Sequence, residues 1–363
     1  MKERSGRNGN NRVMDTAQLL RELSNAFGVS GFEDDVRAII HEIAAPLADD
    51  IRTDTLGNLL VTRRGRTPRT LMLDAHMDEV GLMISHIEDE GFLRFATIGG
   101  WDPRVLPAHA VTVRTRSGAY VRGVIGSLPP HILSPAEREK PVPIEGMFLD
   151  IGARSAEDVA QRGVRLGDPA VPAYPCETLA DGWIMGKALD DRAGCAVMIK
   201  VLEALAGRPL DLTVVCNFAV GEETGLRGAR TAAHQVAPVL ALALEGTVAS
   251  DVPGVSGARR LTSVGKGPAI SLADRSMIVS PRLVQTLERI AEEHGVAYQH
   301  KRPMYGGTDA GAIHTSGGGV LAGAVSVPCR YIHAPLGLLR LSDVEDTIRL
   351  VAAFVQDAAR LVE

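Results

Sequence analysis

An α/β alternation broken in the middle is the feature that most restricts what this chain can fold into. Near the start, Leu19, Leu20, Leu23 and Phe27 fall at helical spacing ahead of Gly28, and Val36, Ile39, Ile40 and Ile43 repeat that spacing ahead of Pro46. Strands are expected next at 58–62 and 70–75, the second (TLMLDA) apolar enough to be covered on both faces. From about Leu82 to about Cys176 the pattern becomes short alternating runs, FLRFAT, AVTVRT and AYVRGVIG, split by Gly and Pro, with 156–162 the one helical stretch. Beyond Lys187 the alternation resumes, with helices after Asp191 and Gly225 and at 281–293 and 343–361, and strands at 212–219, 239–244, 269–272 and 320–327. The economical reading is one discontinuous α/β domain, residues 14–81 and 177–363, carrying a β-rich insertion at 82–176, with 1–13 a disordered polar tail.

Composition narrows the function classes. Hydrophobic residues make up 45% of the 363 and charged residues 23%, which supplies a core and excludes a chain disordered throughout. The 39 Lys+Arg against 44 Asp+Glu give a net charge of -5, and no basic window is interleaved with aromatics, so no nucleic-acid partner is expected. No apolar run reaches the roughly 18 residues that cross a bilayer, and MKERSGRNGNNR lacks the apolar stretch of a secretory signal. A cytoplasmic protein with no membrane partner is the expectation. Cys176, Cys195, Cys216 and Cys329 are widely spaced and read as reduced, buried thiols.

The chemistry sits at the strand ends. His76 and Asp78 follow TLMLDA, Glu222 and Glu223 follow the strand ending at Ala219, Glu245 follows the one ending at Leu244, and His333 follows the one ending near Val327. Asp190 and Asp191 open the second α/β block. Open α/β sheets bind ligands beyond the carboxyl ends of their strands, so these groups should converge. Several carboxylates in one crevice repel unless cations neutralise them, and mixed imidazole and carboxylate donors suit zinc or a similar divalent ion. Adjacent Glu222 and Glu223 diverge, so one can bind metal while the other addresses water, the division metal-assisted hydrolysis needs. Asp78 can accept the other ring N–H of His76 and fix its tautomer.

The ordered segments SGFEDDVRAII, DTLGNLLV, DAHMDEVGLMI, IGGWDPRVLP, LDIGARSAEDV, GKALDDRAGC, GEETGLRGA, GGTDAGAIHTSGGGV and RYIHAPL resemble the tetrahedral (glutamyl/deblocking-type, FrvX-like) aminopeptidases, co-catalytic dimetal exopeptidases. The resemblance implies a three-layer α/β metallopeptidase domain with a central mixed sheet, interrupted by a PDZ-like β-barrel that mediates dimerisation. It implies two divalent ions per subunit, zinc or alternatively cobalt, bridged by Asp190, with His76 and Glu245 completing one shell and Glu223 and His333 the other. Glu222 would be the general base for a metal-bridging hydroxide, and Asp78 the residue orienting His76. Glu245 departs from the Asp found in many relatives by one methylene. Dimers of relatives build hollow tetrahedral dodecamers, so peptide substrates and self-association are the implied partners.

The expected activity is removal of N-terminal residues from short peptides. A dimetal amidase or deacylase acting on N-acylated small molecules is the alternative, since the same machinery cleaves any amide, and a non-catalytic assembly protein is disfavoured because every ligand position holds a competent side chain. The pocket for the first side chain is expected near 306–312 and 256–265, where Arg259 and Arg260 either favour acidic residues or, as the preferred reading, form a solvated basic pair.

Overall fold

The computed structural model describes residues 14–302 and 304–362, so the tail expected at 1–13 lies outside the described residues. Asp15 caps helix Thr16–Asn25 by accepting the Gln18 N–H at 2.7 Å, and the helix buries Leu19, Leu20 and Leu23. Helix Asp34–Ala44 buries Val36 and Ile40 on the same principle.

An eight-stranded mixed sheet forms the centre. Its order is Asp50–Thr53, Leu59–Arg63, Thr213–Ala219, Thr70–His76, Leu240–Val248, Leu321–Cys329, Ala269–Ser271 and Gln299–Lys301. The four middle strands run parallel, which sends all their carboxyl ends to one rim. Helices cover both faces, so these strands read as almost unbroken apolar runs. Helix Leu189–Ala204 is buried on nearly every side and lies directly against the sheet. A Cβ at Gly194 would fall 2.3 Å from the Leu244 carbonyl oxygen, so only glycine permits that approach.

Between the first and second α/β blocks the chain closes a six-stranded barrel, in the order Gly81–Ile87, Leu93–Ile98, Phe148–Asp150, Tyr120–Gly126, Ala110–Arg114 and Pro169–Pro172. It has a core of its own built on Leu82, Ile84, Leu93, Val111, Val113 and Leu149, separate from the main core. An α/β domain interrupted by an inserted barrel is the architecture the sequence leads one to expect. Three short strands, Glu177–Thr178, Trp183–Gly186 and Gly337–Arg340, form a third small sheet that the sequence pattern does not reveal. The insertion also contains a helical turn, Pro135–Arg138, besides the expected helix, which runs Ala156–Gln161. Strand Leu240–Val248 continues through Glu245 where the apolar run ends, because pairing with Leu321–Cys329 carries it on.

Candidate metal centre

All seven candidate residues meet at the carboxyl rim of the parallel strands. His76 ends strand Thr70–His76, Glu222 and Glu223 follow Thr213–Ala219, and Glu245 lies within Leu240–Val248. Asp190 sits in the first turn of helix Leu189–Ala204, and His333 follows Leu321–Cys329. Asp190 Oδ1 is 3.6 Å from His76 Nε2, and its other oxygen, Oδ2, is 3.8 Å from His333 Nε2. Glu245 Oε2 is 3.8 Å from His76 Nε2, Glu223 Oε1 is 3.4 Å from His333 Nε2, and Glu222 Oε2 is 3.9 Å from His76 Nε2. Two groups that could each hold a metal ion result: His76, Asp191 and Glu245, and Asp190, Glu223 and His333, with donor atoms in each within 4.8 Å of one another.

The neighbours of these groups fix their orientation. His76 Nδ1 lies 3.1 Å from the Asp78 carbonyl oxygen and 3.5 Å from its carboxylate, so both oxygens face the ring nitrogen opposite the one turned toward Asp190 and Glu245. The Asp78 carboxylate also accepts the Ser30 hydroxyl at 2.5 Å and the N–H groups of Glu222 and Glu223 at 3.0 and 3.2 Å. His333 adopts φ 56° and has Nδ1 2.8 Å from the Gly100 carbonyl oxygen, which comes from the segment after barrel strand Leu93–Ile98. Asp191, absent from the expected ligand set, uses its oxygens on the backbone N–H groups of His76 and Gly194. Both are thereby committed to anchoring the strand end and the helix start, which leaves Asp190 the freer donor of the pair.

The electrostatics favour cations. Burial pushes the Glu222 carboxyl up to about 7, with Asp78 and Asp190 adding to the shift against the opposing effect of His76. Burial, then the charge of Asp190, raises Glu223 to about 9, and burial lifts Glu245 well above the usual carboxylate range. Burial would neutralise His76 too, but the Asp190 and Asp78 carboxylates beside it outweigh burial and hold the ring above its ordinary value. Nitrogen and oxygen donors crowded this closely could hold divalent metal ions.

Three further residues escape a reading of strand ends. Glu33, in the SGFEDD segment, accepts the Gly31 and Gly221 N–H groups at 2.9 and 3.1 Å, and burial together with Asp78 raises it to about 7. Asp309, in GGTDAGA, donates its N–H to Glu245 Oε1 at 3.0 Å. Lys301 lines the cleft that opens from the carboxylates, a space of about 360 Å³. The motifs containing the first two were the available signal; Lys301 carries none in sequence.

Known proteins resemble the whole arrangement. The family described as M42 glutamyl aminopeptidase matches residues 57–350. The putative aminopeptidase FrvX of Escherichia coli is 37% identical over 338 residues, covering 93% of this chain and 94% of that protein. A TET aminopeptidase structure from Thaumarchaeota archaeon SCGC AB-539-E09 superposes with a TM-score of 0.91 at 42% identity, covering 94% of this chain and 96% of its own. The Pyrococcus horikoshii TET1 peptidase, described as assembling into a tetrahedron or a large octahedral shell, gives 0.83 at 34% identity, covering 94% and 99%. With matches of that extent and a site of this composition, the chain belongs to the M42 aminopeptidase family.

Proposed function

We propose that this aminopeptidase releases N-terminal residues from short peptides using two divalent ions, zinc or cobalt, with Glu222 as general base. Asp190 carries the reading: one carboxylate offers a separate oxygen to the neighbourhood of each histidine, as a bridging ligand must. His76 and Glu245 would complete one coordination shell, Glu223 and His333 the other. Bound there, the ions would make water acidic enough to ionise near neutral pH and would polarise the scissile carbonyl. Glu222, 3.9 Å from His76 Nε2 and 14% exposed, is free to take the proton of the attacking water and return it to the leaving amine. Asp78 keeps that base and His76 in register. The acidic rim attracts a free α-amino group, which restricts cleavage to the N-terminus.

In this reading residues 14–81 and 177–363 form the catalytic domain, and 82–176 the module through which subunits dimerise. Assembly of dimers into a tetrahedral dodecamer is supported by the tetrahedral relative. Four unpaired buried thiols suit the reducing cytoplasm. The test is to strip metal, reload separately with zinc, cobalt and manganese, and assay aminoacyl anilides beside their N-acetylated forms. Hydrolysis confined to free-amino substrates is expected. Turnover of the N-acetylated forms alone would mean a deacylase.

A further inference from the structure

His333 rides a short turn beyond its strand, and the turn is closed at its base. The Arg330 N–H donates to the Leu338 carbonyl at 2.9 Å, and the Leu338 N–H returns a bond to the Arg330 carbonyl at 3.0 Å. Between them Tyr331 and His333 hold positive φ, 62° and 56°, which residues with a side chain keep where the surroundings impose it. The Gly100 carbonyl steadies the His333 ring. The base of the turn is fixed by the side chain of Arg330.

That guanidinium is shared among three parts of the fold. It pairs with both oxygens of Asp251, Nε to Oδ1 at 3.0 Å and Nη2 to Oδ2 at 2.7 Å, a planar two-bond geometry that an ammonium cannot reproduce. Its Cζ lies 5.1 Å from the centre of the Trp183 ring in the small third sheet. The two side chains are 22% and 14% exposed, so the pair is partly shielded from water. Asp251 makes no other side-chain hydrogen bond among the described residues. It lies in the loop that continues strand Leu240–Val248, and that loop is anchored by the Ala249 N–H to the Cys329 carbonyl at 2.8 Å and by the Ser250 N–H to the Thr262 carbonyl at 3.1 Å. One ion pair therefore joins the chain that carries Glu245 to the turn that carries His333, the proposed ligands of different ions. Asp251 itself neither hydrogen-bonds His333 nor lines the cleft.

We propose that Asp251 is a positioning residue that acts through Arg330 to hold the His333 turn in place, and so secures the ion between Glu223 and His333. The inference rests on the two-ion aminopeptidase reading above and adds a pair of residues that neither bind metal nor carry the proton. Partners that orient a metal ligand are worth about 10- to 100-fold in affinity.

The experiment compares the native chain with Asp251→Asn, Arg330→Met, Arg330→Lys and the double variant Asp251→Asn/Arg330→Met, thermal melts reporting whether each folds. Cobalt-loaded protein is titrated with a chelator, and the visible absorption of Glu223→Gln identifies which ion leaves. Asp251→Asn should lose the Glu223–His333 ion at about 10-fold lower chelator and keep the His76 ion. Excess cobalt should restore its kcat with an aminoacyl anilide, which a general loss of folding would not allow. The double variant should be no weaker than Arg330→Met alone, because Asp251 acts only through Arg330. Arg330→Lys, which keeps the charge and loses the paired geometry, should fall between native and Arg330→Met. In the metal-free chain, amide hydrogen exchange at 331–337 should be faster in Asp251→Asn than in the native protein. Native retention of both ions by folded Asp251→Asn, equal loss of both, additive effects in the double variant, or unchanged exchange at 331–337 overturns the assignment. A native chain that binds no pair of ions and cleaves no aminoacyl anilide sinks the aminopeptidase reading instead, and hydrogen exchange then judges the Asp251–Arg330 tie by itself.

Discussion

The Asp78 carboxylate accepts the backbone N–H of Glu222 at 3.0 Å while lying 3.5 Å from His76 Nδ1. One fully buried acid therefore ties the loop of the proposed base to the ring of a proposed metal ligand. Burial alone would raise Asp78, yet its bonds with His76, Ser30 and the Glu222 N–H hold it below the usual carboxylate range. Asp78→Asn turns one acceptor into a donor, so one of its partners loses its hydrogen bond. Metal affinity or kcat/KM should fall about 10- to 100-fold with a lower melting temperature. Metal titration and steady-state kinetics check this, and a variant matching the native protein in both would remove Asp78 from its positioning role.

Asp190→Asn should deplete both ions together, because the two oxygens of Asp190 face different histidines. Elemental analysis after equilibrium dialysis is the measurement. Loss of one ion with retention of the other would assign Asp190 to a single shell.

The barrel reaches the candidate metal centre through Gly100. No candidate ligand lies in the insertion, yet Gly100 supplies the carbonyl that meets His333 Nδ1, and a Cβ on Gly100 would fall 3.1 Å from that nitrogen. Gly100→Ala should displace His333 and weaken the Glu223–His333 ion about 10-fold or more while the His76 side stays filled. Graded metal removal with a chelator, followed by the content of each variant, decides it. Equal release of both ions from native and variant proteins would show that the carbonyl does not matter.

Metal removal should make stability pH-dependent in a definite sense. Glu222 and Glu223 have folded values of about 7 and about 9 against an ordinary 4.5, so the folded, metal-free chain binds more protons than the unfolded one between those limits. Their contribution is favourable below about pH 4.5 and is lost as the pH rises through the folded values. Metal binding requires the ionised forms and therefore tightens over the same range. The gain in melting temperature on adding zinc or cobalt should grow from pH 5.5 to pH 8. A gain that is flat or shrinks across that window would contradict the proposed ligands.

Particular residues show how far the sequence could be read. The run TLMLDAH announces a strand covered on both faces, and the rule that α/β sheets bind beyond strand carboxyl ends brings His76, Glu222, Glu223 and His333 to one crevice. Strand Gln299–Lys301 is three polar residues whose only strand partner among the described residues is Ala269–Ser271, so its existence depends on a neighbour no local pattern specifies. Trp183–Gly186 and Gly337–Arg340 are short for the same reason and define each other across the fold. In the pair Asp190–Asp191 the sequence offers two equivalent acids, and only the backbone N–H groups of His76 and Gly194 separate the anchor from the freer carboxylate.

In the proposed mechanism Glu222 moves the proton while other side chains hold the ions, and Glu222→Gln separates these two roles. The amide preserves size and removes the proton acceptor. Measured on one preparation, metal content should stay at two ions per chain while kcat with an aminoacyl anilide falls by roughly 100- to 10,000-fold. A rate within about threefold of the native enzyme, with both ions bound, would contradict the account.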